Sequence, residues 1–141
     1  MAWLIDTNIL SDARKPRPDP KIAEFFRIHR TSEFYVSVVT FAEIRFGIEL
    51  LDDHARRAVL TDWLTLELRP MFEGRVLQLT EDILLKWRML MEQGRKTGHT
   101  YSQIDLIIAA TALHHGLTVV TRDRSDYDRA GVPVLNPWEG S

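Results

Sequence analysis

Residues 102–123 read SQIDLIIAATALHHGLTVVTRD, and this stretch decides the fold. Ser102 in a cap position, an apolar body and Gly116 as a stop predict a helix over 102–115. Residues 117–120, LTVV, follow at once and predict a β-branched strand. A short strand of this kind, entered straight from an apolar helix, points to a parallel sheet covered on both faces. Asp105 lies in the first turn of that helix, and Asp123 lies a few residues past the strand.

The same alternation extends upstream. Residues 2–5 (AWLI) form a continuous apolar run, read as a buried strand, and Asp6 follows it. A helix beginning near Asn8 must stop at the proline-rich segment 15–20, KPRPDP. The spacing of Ile22, Phe25, Phe26 and His29 predicts a helix over 21–30, and 34–39 predicts a second strand. Thr40 is expected to open a helix with Phe41, Ile44, Ile48 and Leu51 on one side. Further on, a helix is expected over 53–67, broken at Pro70, then a short strand at 76–79. A helix over 80–93 carries Leu84, Trp87, Leu90 and Met91, and 94–98 (GRKTG) reads as a loop. Pro133 marks a last edge strand at 132–134. Strands alternating with helices predict a three-layer α/β/α domain with a mainly parallel central sheet, spanning residues 1–141 as a single unit.

Composition sets bounds on what the chain does. At 141 residues, 45% hydrophobic and 27% charged, it can bury a core without covalent staples. The absence of cysteine excludes disulfides and thiolate metal sites. The first residues reach an acid too early for a signal peptide, and no apolar run is long enough to span a bilayer, so a cytoplasmic protein is expected. A formal net charge of -2 argues against nucleic-acid binding; with two bound divalent ions, -2 plus 4 gives +2.

Four acids carry the chemistry: Asp6, Glu43, Asp105 and Asp123. In open parallel sheets ligands bind beyond the carboxyl ends of the strands, where strand order reverses. Acids that follow strands, or open helices packed on the sheet, are delivered to that edge. Several anions share an edge only if something neutralises them, and a hard divalent cation does so economically. Each acid also has a plain structural reading. Thr40 to Glu43 and Ser102 to Asp105 have capping-box patterns, Asp6 fits a helix cap and Asp123 fits a turn. Thr80-Glu-Asp shows the same local pattern with no functional company. Helix N-termini favour anions, so ionised carboxylates are expected. Basic residues at Arg14, Lys15, Arg17, Arg95 and Lys96 are read either as phosphate contacts or as solvated surface.

The segments WLI-Asp6-Thr7-Asn8, Ser37-Val-Val-Thr40-Phe-Ala-Glu43, Asp105-Leu-Ile-Ile-Ala-Ala and Val120-Thr121-Arg122-Asp123 together resemble a PIN domain, nearest to the FitB-like branch of the VapC-type toxins. The resemblance runs nearly end to end. It implies a Mg²⁺- or Mn²⁺-dependent endoribonuclease, the toxin of a type II, VapBC-like toxin–antitoxin system. It further implies an RNA substrate, a VapB-like antitoxin, a homodimer, and contact with DNA only through the antitoxin. By the same resemblance Asp6, Glu43, Asp105 and Asp123 are the catalytic and metal-ligating acids. Thr7, Asn8 and Thr121 are the polar residues that support them, and Asp126 is a substitute or additional ligand to Asp123. Two other classes fit the bare residues: a receiver-like, Mg²⁺-binding signalling module, and a catalytically silent binding protein whose acids are caps.

Overall fold

Five parallel strands form one sheet in the order β3-β2-β1-β4-β5 in the computed structural model, which describes residues 1–139. The strands are β1 (Trp3–Ile5), β2 (Phe34–Ser37), β3 (Val76–Leu77), β4 (Thr118–Val120) and β5 (Val134–Leu135). Helices α1 (Thr7–Ala13) and α2 (Pro20–Ile28) lie between β1 and β2. Helices α3 (Val38–Glu49), α4 (His54–Asp62) and α5 (Arg69–Met71) lie between β2 and β3. Helices α6 (Glu81–Thr97) and α7 (Gln103–His115) precede β4, and α8 (Ser125–Arg129) separates β4 from β5.

Strand alternation divides the core in two. Trp3, Ile5, Phe34, Val36 and Val120 face a cluster with Ile9, Ile22, Phe25, Phe41 and Phe72. Leu4 and Val119 face the other side, with Ile83, Leu90, Leu106, Ile108 and Tyr127. Burying each such side chain contributes about 1.5–3 kcal/mol. This is the expected three-layer architecture. Because β1 pairs with both β2 and β4, strand order reverses at its flank. In open α/β sheets a reversal of this kind is where ligands bind, here beyond the ends of β1 and β4. No helix among the described residues is long and apolar enough to cross a membrane.

Several boundaries differ from the sequence reading. Strand β2 ends at Ser37, whose hydroxyl accepts from the Val39 N–H at 3.1 Å, so α3 starts before Thr40 and Thr40 is not its cap. Pro70 does not break its helix. The wide, loosened turns of Trp63–Leu68 precede it, and the chain stays helical through Met71. Wider turns make room for a ring that would otherwise clash with the carbonyl four residues back. Residues 94–97 continue α6 rather than forming a loop; Gly98, at φ +74°, ends it. The expected strand at 76–79 is only two residues long, and the last strand is Val134–Leu135 rather than 132–134. Its Pro133 stays beside the ladder and contributes only a carbonyl, which accepts from Val119 N–H at 2.9 Å. Helix α8, in a run of charged residues, has no apolar periodicity and was not anticipated.

Candidate active site

Asp6 lies one residue beyond β1 and is almost fully buried. It does cap α1, accepting the Thr7 N–H on Oδ1 at 2.8 Å. Its other oxygen, Oδ2, accepts from the Thr121 hydroxyl at 2.9 Å and from the Tyr127 hydroxyl at 3.2 Å. Capping therefore uses only one side of this carboxylate.

Thr121, fully buried just past β4, is saturated. It donates to Asp6 and accepts from Asn8 Nδ2 and from the Asp123 N–H, each at 3.1 Å. Asn8 also accepts the Arg122 N–H on Oδ1 at 3.2 Å. It thus reaches Asp6 through Thr121 and grips the turn that carries Asp123. Asn136 holds the same turn from the other side through the Arg122 carbonyl at 3.1 Å, and Arg122 stacks over Trp138 at 3.9 Å.

Asp105 occupies the third helical position of α7, and Ser102 provides no side-chain cap there. The capping-box reading of this pair fails. Instead, the Ser102 N–H donates to Asp126 Oδ2 at 2.9 Å, and His99 Nε2 lies 3.1 Å from Asp126 Oδ1. Both oxygens of Asp126 are thereby engaged away from Asp6. Asp105 meets the Tyr127 hydroxyl at 3.5 Å. Tyr127 was missed by sequence reasoning: a tyrosine in the polar run RSDYDR shows no periodicity that would mark it as buried.

Electrostatics oppose the ionisation that the helix end favours. The helix end favours an ionised Asp105, but burial, then the fields of Asp6, Asp126 and Asp123, push its carboxyl up to about 6. Asp6 is also raised, by burial first; its hydrogen bonds act the other way. Burial, and then the two carboxylates, push the Tyr127 phenol up, which keeps it a donor. No Lys or Arg lies within 4.0 Å of the Asp6, Asp105 or Asp123 carboxylates among the described residues.

Glu43 stands apart. It is exposed in the second turn of α3 and shares a surface pocket with Thr7, Ser11 and Arg14. Among the described residues, no three His, Cys, Asp or Glu side chains are grouped closely enough to hold an ion as they stand. The chemistry of Asp6, Asp105 and Asp123 nevertheless fits a hard divalent cation: oxygen donors only, mutually repelling, with no cationic side chain among them.

Residues 3–132 match the PIN domain family. The chain belongs to the PIN-domain family. This PIN domain is 35% identical over 136 residues to VapC ribonuclease Y4jK of Sinorhizobium fredii, covering 96% of this chain and 97% of that protein. It is 33% identical over 135 residues to Toxin FitB of Neisseria gonorrhoeae, covering 96% and 97% respectively. Among solved structures it is similar to FitAcB from Neisseria gonorrhoeae, with a TM-score of 0.90 and 33% identity, covering 96% of this chain and 98% of that one. The receiver-like alternative is set aside by this match.

Proposed function

We propose that this PIN domain is the toxin of a VapBC-like toxin–antitoxin pair and acts as an endoribonuclease that requires Mg²⁺ or Mn²⁺. The observation that carries the reading is the nearly full-length likeness to a VapC ribonuclease, combined with acids gathered where strand order reverses. Likeness to FitB, and to FitAcB, supports a small antitoxin protein as partner. The same family reading supports RNA as substrate, a homodimer, a cytoplasmic location and residues 1–141 acting as one domain.

In this reading Asp6, Asp105 and Asp123 would hold the cation, and Glu43 would complete the quartet from α3. A bound divalent ion supplies charge neutralisation at the scissile phosphate and a more acidic water. Asp6 presents a carboxylate whose orientation is fixed by Thr7 and Thr121. Asp105 and Asp123 supply negative charge from a helix start and a strand-end turn. Thr121 ties the Asp6 carboxylate to the backbone of the turn that carries Asp123. Asp126 serves as a strut between α8, His99 and the start of α7, not as a ligand.

The test is cleavage of cellular RNA by wild type, Asp6→Asn and Asp105→Asn, each with Mg²⁺ and with chelator. Wild type with Mg²⁺ is expected to leave 5′-phosphate and 3′-hydroxyl ends, and the other combinations to leave RNA intact. Normal cleavage by either variant sinks the acid-cluster mechanism. Unchanged RNA with wild type and Mg²⁺, together with unchanged RNA ends after brief induction in cells, leaves the catalytically silent binding protein as the correct class.

A further inference from the structure

Tyr127 is 0% exposed, in the core cluster that holds Leu4, Ile108 and Val119. A phenylalanine would fill this place equally well. Burying a hydroxyl instead is unfavourable unless it is bonded, so the hydroxyl calls for its own explanation. Its oxygen lies 3.2 Å from Asp6 Oδ2 and 3.5 Å from Asp105 Oδ1, between the carboxylates at the ends of β1 and α7. The backbone that carries it is pinned. The Tyr127 carbonyl accepts the Val132 N–H at 2.9 Å, and neighbouring Asp126 is tied to His99 and Ser102.

The acceptor inventory gives the hydroxyl a role. An ionised carboxylate offers about four acceptor directions. Asp6 uses three, for Thr7, Thr121 and Tyr127, and so keeps one open. For the Asp105 carboxylate, Tyr127 is the one hydrogen-bond partner among the described residues. Among the described residues no other hydrogen bond holds the Asp105 carboxylate against the repulsion of Asp6.

We propose that the Tyr127 hydroxyl is a positioning group for the divalent cation: standing between Asp6 and Asp105 and donating its single proton to one carboxylate at a time, it sets their spacing and leaves one direction on Asp6 free for the ion. This rests on the metal-dependent reading above. Tyr127 touches neither substrate nor ion; it acts through the two carboxylates.

The experiment is Mn²⁺ binding, read by paramagnetic resonance of the free ion, on full-length wild type, Tyr127→Phe and Ile22→Val. Ile22 is buried in the other core cluster, so its shortening is a purely structural control. Tyr127→Phe is expected to bind Mn²⁺ about tenfold more weakly, the scale typical of residues that orient metal ligands. Ile22→Val is expected to lower the melting midpoint by about 2–5 °C and to leave Mn²⁺ affinity as in wild type. Equal or tighter binding by Tyr127→Phe overturns the positioning role and leaves the metal site standing. Equal weakening in both variants overturns it too, because destabilisation then accounts for the loss. Absence of saturable binding by wild type removes the metal site, and the proposal with it.

Discussion

Replacing Asp105 by Asn is expected to stabilise the metal-free protein while abolishing cleavage. A carboxyl pushed from its ordinary 3.8 up to about 6 binds its proton more tightly in the folded state than in the unfolded one. Folding is therefore penalised by about 3 kcal/mol when the group is ionised, at 1.36 kcal/mol for each tenfold in proton affinity. Asp105 is only half-buried, and solvent screening reduces this to roughly 1–2 kcal/mol. Asparagine is nearly the same size, carries no charge and still accepts from Tyr127, so most of that penalty disappears. For a chain of this length the melting midpoint should rise by about 3–8 °C. The sign follows from the raised value. The penalty is full above about pH 6 and is relieved as pH falls through 6 toward 4, so near pH 5 the advantage of the variant should be roughly halved. The assay is thermal unfolding followed by circular dichroism, in chelator, near pH 7.5 and near pH 5. If Asp105→Asn melts below wild type near pH 7.5, or if the gap is the same at both pH values, the electrostatic account of the cluster is wrong.

Gly94→Ala should lower the unfolding free energy by about 1–3 kcal/mol, read as a lower urea midpoint, since a Cβ there would lie 2.8 Å from the His99 carbonyl and from the Tyr101 ring. A higher midpoint would mean that the gain in helix propensity, about 1 kcal/mol, outweighs the clash. Asp123→Asn should reduce cleavage more than about a hundredfold and Asp126→Asn less than about tenfold, measured on one RNA at saturating Mg²⁺; the reverse order would make Asp126 the fourth acid. Asp12 is buried, accepts the Asp19 N–H at 2.9 Å and pairs with Lys15 at 3.3 Å. Asp12→Ala should therefore cost about 1–3 kcal/mol and speed amide exchange in 15–19, and unchanged exchange there would count against it as the anchor of that loop.

The layer order was legible because strands buried on both faces leave continuous apolar runs, and because Gly116 and Ser102 punctuate the sequence around α7. Boundaries were less legible where two local rules competed. Ser37 and Thr40 are both good caps, and only packing of Val39 and Phe41 against opposite layers decides for Ser37. Gly94 looks like a helix stop but is there to let Tyr101 approach. Pro70 looks like a breaker, but wider preceding turns absorb it. At the site, Asp6, Asp105 and Asp123 were visible from their place at element ends. Tyr127 was not, since its importance arises only when α8 folds back over the β1 end. Nor could spacing alone place Glu43 in a surface pocket beside Thr7 and Arg14, because that depends on where α3 begins.

The central position of β1 has a consequence for synthesis. Its two neighbours are β2 and β4, so the strand made first cannot be paired on both sides until Thr118–Val120 has emerged. Asp6 meets the turn that carries Asp123 only after another 117 residues (123 minus 6). At about 5–20 residues per second that is roughly 6–23 s of translation. Throughout that interval a nascent chain has the first acid but no cluster around it. Premature termination anywhere before β4 yields a fragment with an unsatisfied strand edge and an incomplete acid set, a substrate for proteolysis and not a nuclease.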